Sequence, residues 1–295
     1  MAKQSNYKVM EILNKMTDYL TQREIENSRL NAELLLGHVI NLDRVQLYLN
    51  FEKPLTDNEI GKCRELLKRR GAREPLQHIL GETEFYSLKF KVTPDTLIPR
   101  PETEILIDEV VDFCRKNYQS KQEIHVLDIG AGSGNISISL ANTIKNALLT
   151  SIDISPAALK VGLENAEFHN VSNRITFLEV DIFQNVENSF PQFDIIVSNP
   201  PYISDSEFSE LSPEVREHEP GTALSGGKDG LDYYLRIAEL SERLFNKGGL
   251  IALEIGANQA DQVLNIFKKT GLFYDLKIIK DLNQLNRVLI GNRKS

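Results

Sequence analysis

Strand and helix patterns alternate from about residue 122 to the end of the chain, which predicts an α/β protein on a mostly parallel sheet with helices on both faces. Two further observations complete the expectation. The first 80 residues carry only helix-period apolar patterns, and the last two strand candidates, 276–279 and 287–290, are joined by seven residues. A parallel crossover needs roughly a dozen, so the sheet is expected to end on an antiparallel strand. The chain therefore divides into a helical domain over 1–80, a β-hairpin joint over 81–97 and a sheet domain over 98–295.

The elements follow in order. Val9, Ile12, Leu13, Met16 and Leu20 recur at three- and four-residue steps, as one face of a helix does. Leu30, Leu34, Leu35 and Val39 repeat the spacing, and so do Ile60, Cys63, Leu66 and Leu67, with Thr56 and Asp57 as a helix start. Four or five short helices in a small bundle are expected. Phe85, Leu88, Phe90 and Val92, broken by Gly81, Ser87 and Pro94, read as a hairpin. Pro101, Glu102, Thr103 and Glu104 precede the apolar-periodic run 105–113 and form a good helix N-terminus. Strands are expected at 124–129, 148–152, 175–180, 193–197 and 250–255, with helices at 156–168 and 233–244 among the intervening segments.

Composition excludes several classes. The chain has 295 residues, 41% of them hydrophobic and 26% charged, which is ordinary for a globular protein and wrong for a disordered, collagen-like or disulfide-rich one. The net charge of −8 is unevenly spread. Residues 1–80 hold 13 Lys and Arg against 11 Asp and Glu, a net of +2, so the remainder carries −10. That acidic body argues against a long nucleic-acid groove. The basic excess sits in Lys62, Arg64, Lys68, Arg69, Arg70 and Arg73, a solvated helix face or a contact for a phosphate-bearing partner. Cys63 and Cys114 have no partner at metal-ligand spacing and the five histidines are scattered, so no metal is expected. The first 16 residues are polar and amphipathic, unlike a signal peptide, and no apolar run approaches the roughly 20 residues of a membrane span. A cytoplasmic protein without a membrane partner is expected.

Four motifs carry chemistry. Gly130, Ala131, Gly132, Ser133 and Gly134 follow Asp128 at the end of a strand and open a helix. Glycines there let the backbone turn sharply and approach a ligand, and the free N–H groups of the helix start favour a polar or anionic one. The Gly-x-Gly-x-Gly spacing departs from the Gly-x-Gly-x-x-Gly of dinucleotide enzymes. Asp153, 19 residues past Gly134 at the tip of the second strand, is placed to accept ribose hydroxyls, in NAD and adenosylmethionine enzymes alike. Val180, Asp181, Ile182 and Phe183 end the third strand, an acid followed by apolar residues that suits an adenine, Asp181 toward the exocyclic amine and Ile182 against the ring; a helix cap is the competing role for Asp181.

Asn199, Pro200, Pro201 and Tyr202 follow the fourth strand. Two prolines fix φ and remove two donors, so the Asn side-chain oxygen and the Pro200 carbonyl can converge on one NH₂ group. An amide or aromatic amino nitrogen is a poor nucleophile because its lone pair is delocalised. Two fixed acceptors hold its hydrogens as it pyramidalises toward a sulfonium methyl, while Tyr202 covers its flat face. Such a site works by positioning and electrostatic preorganisation.

This ordered set resembles the class I (Rossmann-like) adenosylmethionine-dependent methyltransferases that modify planar nitrogens. The segments 73–81 (Arg-Glu-Pro-Leu-Gln-His-Ile-Leu-Gly), 85–92, 97–104 (Leu-Ile-Pro-Arg-Pro-Glu-Thr-Glu) and 219–231 are similar to those of the release factor glutamine methyltransferase family (PrmC, also called HemK). The resemblance implies methylation of the glutamine side-chain amide (N5) in the Gly-Gly-Gln motif of class I peptide-chain release factors. S-adenosyl-L-methionine would be the cofactor and S-adenosyl-L-homocysteine the product. It further implies that residues 130–134 wrap the methionine end of the cofactor, Asp153 binds its ribose, and Asp181 and Ile182 flank its adenine. Asn199, Pro200, Pro201 and Tyr202 would hold the substrate glutamine, with Asn199, Pro200 and Tyr202 as the catalytic residues and Asn199 also touching the cofactor. Arg100, Glu102 and Glu104 either help to close the site or begin a helix. A ribosomal-protein glutamine methyltransferase and a nucleic-acid amino methyltransferase share this chemistry. A dehydrogenase fits the glycine spacing poorly, and a noncatalytic docking module has no need of Asn199 to Tyr202.

Overall fold

The computed structural model describes residues 4–184 and 190–294, and residues 1–3 of the opening segment lie outside them. The chain forms two compact units. One comprises residues up to Glu82 together with Ser212–His218, and the other comprises Thr83–Leu211 and Glu219 onward.

The first unit holds β1 (Gln4–Lys8), α1 (Val9–Gln22), α2 (Ser28–Ile40), α3 (Arg44–Leu49), β2 (Pro54–Thr56), α4 (Asp57–Gly71) and α5 (Leu76–Leu80). Helix α4 starts where the sequence places it. The Thr56 side chain accepts from the Glu59 main-chain N–H, and Glu59 accepts in return from the Thr56 N–H at 2.7 Å, a reciprocal cap. Val9, Leu13, Leu20, Leu35, Leu36 and Leu47 form the buried centre of the bundle. The antiparallel pairing of β1 with β2 is additional to the expected helices.

The second unit opens on a hairpin, β3 (Glu82–Phe85) and β4 (Leu88–Lys91). Its Phe85 and Phe90 meet edge to face and are buried in the same core as the sheet. Burial of each ring contributes about 2 kcal/mol, so the hairpin belongs physically to the sheet unit. The remaining elements are α6 (Glu104–Asn117), β5 (Ile124–Ile129), α7 (Asn135–Thr143), β6 (Ala147–Asp153), α8 (Pro156–Phe168), β7 (Ile175–Glu179), β8 (Phe193–Ser198), α9 (Asp205–Phe208), α10 (Pro213–His218, in the first unit), α11 (Asp232–Leu244), β9 (Phe245–Glu254), α12 (Ala260–Lys269), β10 (Phe273–Lys280) and β11 (Asn286–Arg293).

The seven-stranded sheet runs β10-β11-β9-β8-β5-β6-β7. Strands β7, β6, β5, β8 and β9 pair in parallel, while β11 is antiparallel to both its neighbours, as the short connection requires. Alternate strand residues enter different cores. Val126, Ile195 and Leu250 pack with α6 and α7, whereas Leu127, Ile196 and Ile251 pack with α11 and α12. Strands buried on both faces explain the near-continuous apolar runs at 124–129 and 193–197. The strand order reverses at β5 and β8, and there the carboxyl ends of adjacent strands open a crevice.

Two boundaries differ from those expected. The hairpin is divided at Glu82 and otherwise joins the sheet unit, because Phe85 and Phe90 are part of its core. The segment Ser212–His218 groups with the helices because Glu214 pairs with Arg70 at 2.9 Å and approaches Arg73.

Candidate active site

A cavity of about 1180 Å³, including its open mouth, lies at the carboxyl ends of β5, β6 and β8. The glycine-rich loop, Asp153, Asp181, Ile182, Asn199 and Pro200 line one side of it, and Leu97, Pro99, Arg100, Pro220 and Ala223 line another.

The loop after β5 is shaped by three glycines at positive φ: Gly130 at 81°, Gly132 at 52° and Gly134 at 77°. A side chain is strained at each of these. Gly134 is doubly constrained, since a Cβ there would stand 3.0 Å from Ile138 Cδ1 and 3.3 Å from the Gly162 Cα. Around Gly132, in contrast, nothing lies within 4 Å. The loop is anchored by N–H groups of Gly130 and Ala131, which donate to the Ile152 carbonyl at 2.8 and 3.0 Å. Beneath it Asp128 is fully buried. Its Oδ2 accepts from Ser137 Oγ at 2.5 Å, and its Oδ1 has no partner. Burial pushes this carboxyl up to about 7, although the Ser137 hydrogen bond pulls the other way.

Asp153 accepts from the Gly132 N–H at 2.8 Å through Oδ2 and from the Ser155 N–H at 2.9 Å through Oδ1. It therefore braces the glycine loop and keeps lone pairs on both oxygens for a ligand. Asp181 turns back on its own chain to accept from the Phe183 N–H at 2.9 Å. Ile182 is buried, and Arg236 donates to its carbonyl at 2.6 Å. Next to it, Phe183 is 49% exposed and meets Tyr233 edge to face, with ring centroids 5.1 Å apart. Both rings line the cavity.

The end of β8 is held to β5 by Ser198, whose Oγ donates to the Ile129 carbonyl at 2.6 Å. Asn199 Nδ2 donates to Thr103 Oγ1 at 3.2 Å, and Thr103 donates to Glu254 Oε2 at 2.5 Å. Tyr202 Oη approaches Glu254 Oε1 at 3.4 Å. Glu254 and Thr103 are each 1% exposed. Burial pushes the Glu254 carboxyl up to about 7 and raises the Tyr202 phenol well above its ordinary value. The backbone of Tyr202 is clamped from outside: Gln259 Nε2 donates to its carbonyl at 2.9 Å and to that of Gly230 at 3.2 Å. A Cβ on Gly230 would lie 2.3 Å from the Tyr202 oxygen. The Gly-rich segment 226–230 thus exists to pack against residues 201 and 202.

Most of the expected site residues converge. Gly130, Ala131, Gly132, Ser133, Asp153, Asp181, Ile182, Asn199, Pro200 and Pro201 line the cavity. Gly134 is absent from the lining, being turned against Ile138 and Gly162. Tyr202 borders a separate pocket with Glu207, Glu210 and Gly256. Arg100 lines the cavity and pairs with the buried Glu219 at 2.6 Å. Glu104 accepts instead from the Tyr86 N–H at 2.8 Å, tying helix α6 to the hairpin turn. Thr103, Glu254 and Tyr233 were not foreseen as site residues, and Phe183 only as the end of the run 180–183. One signal existed for Glu254: it is a lone acid inside the apolar run 250–255.

The arrangement fits S-adenosyl-L-methionine. Bare glycines leave space at the end of β5, an acid stands at the tip of β6, and a pair of rings borders the region after β7. The sheet order, the antiparallel β11 and this loop define a class I methyltransferase. Comparison with known proteins agrees. Residues 105–214 match the family described as methyltransferase small domain, and residues 11–81 match the PrmC N-terminal domain. The chain is 42% identical to the release factor glutamine methyltransferase of Geobacter sulfurreducens over 96% of each chain. It is 39% identical to that of Chlorobaculum tepidum over 98% of each. Among solved structures, the catalytic domain of hMettl16 in complex with MAT2A 3′UTR hairpin 6 covers 81% of this chain, and 84% of its own, with a TM-score of 0.55 at 15% identity, a likeness of fold. The chain belongs to the release factor glutamine methyltransferase family.

Proposed function

We propose that this enzyme methylates the side-chain amide of the glutamine in the Gly-Gly-Gln motif of class I peptide-chain release factors, leaving S-adenosyl-L-homocysteine. The observation that carries the reading is the anchoring of Asn199 at the cavity edge through Thr103, with its amide nitrogen committed to that hydroxyl. Among the described residues no donor reaches Asn199 Oδ1. That oxygen and the Pro200 carbonyl are the two acceptors for the substrate NH₂ group. Held between them, the nitrogen is oriented and its delocalisation weakened, which is where a positioning enzyme lowers its barrier. When bound, S-adenosyl-L-methionine supplies an electrophilic sulfonium methyl. Gly130, Ala131, Gly132 and Ser133 hold its methionine end, with Gly134 shaping their turn. Asp153 takes the ribose, and Asp181, Ile182, Phe183 and Tyr233 enclose the adenine.

Release factors act during translation termination in the cytoplasm, and the enzyme is placed there. No helix among the described residues is long and apolar enough to cross a membrane. The helical unit is the docking module for the protein substrate; no stable nucleic-acid partner enters the reading. Incubation with the cofactor and a release factor, followed by mass spectrometry of the Gly-Gly-Gln peptide, tests it. A gain of one methylene on the glutamine is expected, and label transferred to ribosomal RNA alone would refute it.

A further inference from the structure

We infer that Thr103 and Glu254 form a relay that orients the Asn199 side-chain amide, and so act as positioning residues for the reaction proposed above, on which the inference rests. The logic is one of donors and acceptors. An ionised carboxylate offers only lone pairs. The Thr103 hydroxyl, 2.5 Å from Glu254 Oε2, therefore gives its single proton to it. Thr103 Oγ1 is left with acceptor capacity alone toward its other neighbour, Asn199, 3.2 Å away. The amide must then present Nδ2, which turns Oδ1 the other way. In the flipped orientation two acceptor oxygens would face each other, leaving a buried polar contact unmade.

Glu254 also meets the far end of the same motif, since Tyr202 Oη approaches its second oxygen at 3.4 Å. One buried carboxylate thus pins both Asn199, through Thr103, and Tyr202. The three contributing segments are far apart in the chain, and they are rigid: β9 is interior to the sheet, and Thr103 lies in the tight turn that opens α6.

The relay depends on Glu254 being ionised. The groups facing it are Arg287 from β11, whose cation favours the charged form; Glu102 beside Thr103, which opposes it; and the phenol of Tyr202. Tyr234 of α11 donates to the Glu254 main-chain carbonyl at 3.0 Å. Burial outweighs Arg287 and the two hydroxyls and brings the carboxyl up to about 7. Below that value a protonated Glu254 donates to Thr103. The Thr103 proton is then free to pass to Asn199, and the amide turns Oδ1 inward, away from substrate. Methyl transfer should accordingly rise with pH through about 7.

The test uses the full chain and its variants Thr103→Val, Thr103→Ser and Glu254→Gln with a release factor as substrate. Thr103→Val should lower kcat by up to about 100-fold, while S-adenosyl-L-homocysteine binds within about 2-fold of wild type by calorimetry, which also reports folding. Thr103→Ser, which keeps the hydroxyl, should recover most of the rate. The wild-type kcat should show its inflection near 7 and Glu254→Gln should lose it. Independently of turnover, the Asn199 side-chain ¹⁵N–H resonances should titrate with the same inflection in wild type and stay fixed in Glu254→Gln. Wild-type kcat in Thr103→Val, or an inflection that survives in Glu254→Gln, would overturn the relay. Absence of transfer by the wild type would overturn the proposed function, whereas the Asn199 titration reports on the relay alone.

Discussion

The buried charges of the helical unit and two buried carboxyls of the sheet unit, Asp128 and Glu254, are treated in opposite ways. In the helical unit Glu33 is buried, yet Tyr48, Arg44 and Arg29 all donate to it, at 2.5, 2.8 and 3.0 Å. Burial alone would push this carboxyl up, and these donors overcome it and hold it below the usual range. Arg70 is likewise enclosed, with Asn31 Oδ1 at 2.7 Å, Glu214 at 2.9 Å and the Glu74 carbonyl at 3.0 Å. In the sheet unit Asp128 keeps an oxygen without a partner, and Glu254 is served by two hydroxyls. Both stand near 7. Glu219 and Asp194 of the sheet unit are as well partnered as Glu33; it is Asp128 under the glycine loop and Glu254 behind Asn199 and Tyr202 that are left short, which is where function is expected to concentrate.

The largest expected effect comes from removing the proposed acceptor itself. Asn199→Ala should lower kcat by about 100-fold or more, the loss typical of a single preorganised polar group. Cofactor affinity measured by calorimetry should scarcely change, and a variant with near-normal turnover would remove Asn199 from the site. Next is Asp153→Asn. It weakens the brace on Gly132 and the proposed ribose contact together, and should raise the cofactor Kd about 10-fold or more, the worth of a charged hydrogen bond. An unchanged Kd would show that the acid serves only the loop.

On the other side of the comparison, Arg70→Ala strips a buried pair of its cation and leaves Glu214 and Asn31 short of a donor. About 2–3 kcal/mol of stability should be lost in urea denaturation, with cofactor affinity retained. A loss below about 0.5 kcal/mol would place Arg70 with ordinary surface residues. The smallest effect is in pH. A carboxyl raised in the folded state favours folding most below its ordinary range, and that contribution disappears as pH rises through the raised value. Asp128 and Glu254 should therefore make the melting temperature fall between about pH 4 and pH 7, and Asp128→Asn should flatten that slope. A slope unaffected by the substitution would detach Asp128 from it.

How much of this could be read from the chain depended on distance along it. The glycine loop and Asn199 to Tyr202 are contiguous, and each carries its chemistry within a few residues. The antiparallel β11 was legible from the length of one connection. Glu254 and Thr103 were not, because each acquires meaning only from a neighbour 151 residues away. For the same reason the basic run was ambiguous. Arg69 and Arg70 are consumed by Glu74 and Glu214 and Arg73 donates to the Arg23 carbonyl, while Lys62, Arg64 and Lys68 remain exposed on α4. The pairing of β1 with the three-residue β2 left no pattern long enough to detect. Ile182 lines the cavity with an aliphatic side chain, and the aromatic surface comes from Phe183, the last residue of the run 180–183, and from Tyr233, which no local motif marked.

The most direct measurement is mass spectrometry of the Gly-Gly-Gln peptide of a release factor after reaction with wild type and with Asn199→Ala, each first shown to bind cofactor. One added methylene on the glutamine with wild type, and none with the variant, is the expected result. An unmodified glutamine with cofactor-loaded wild type, or full modification by the variant, would contradict an amide-methylating site built around Asn199.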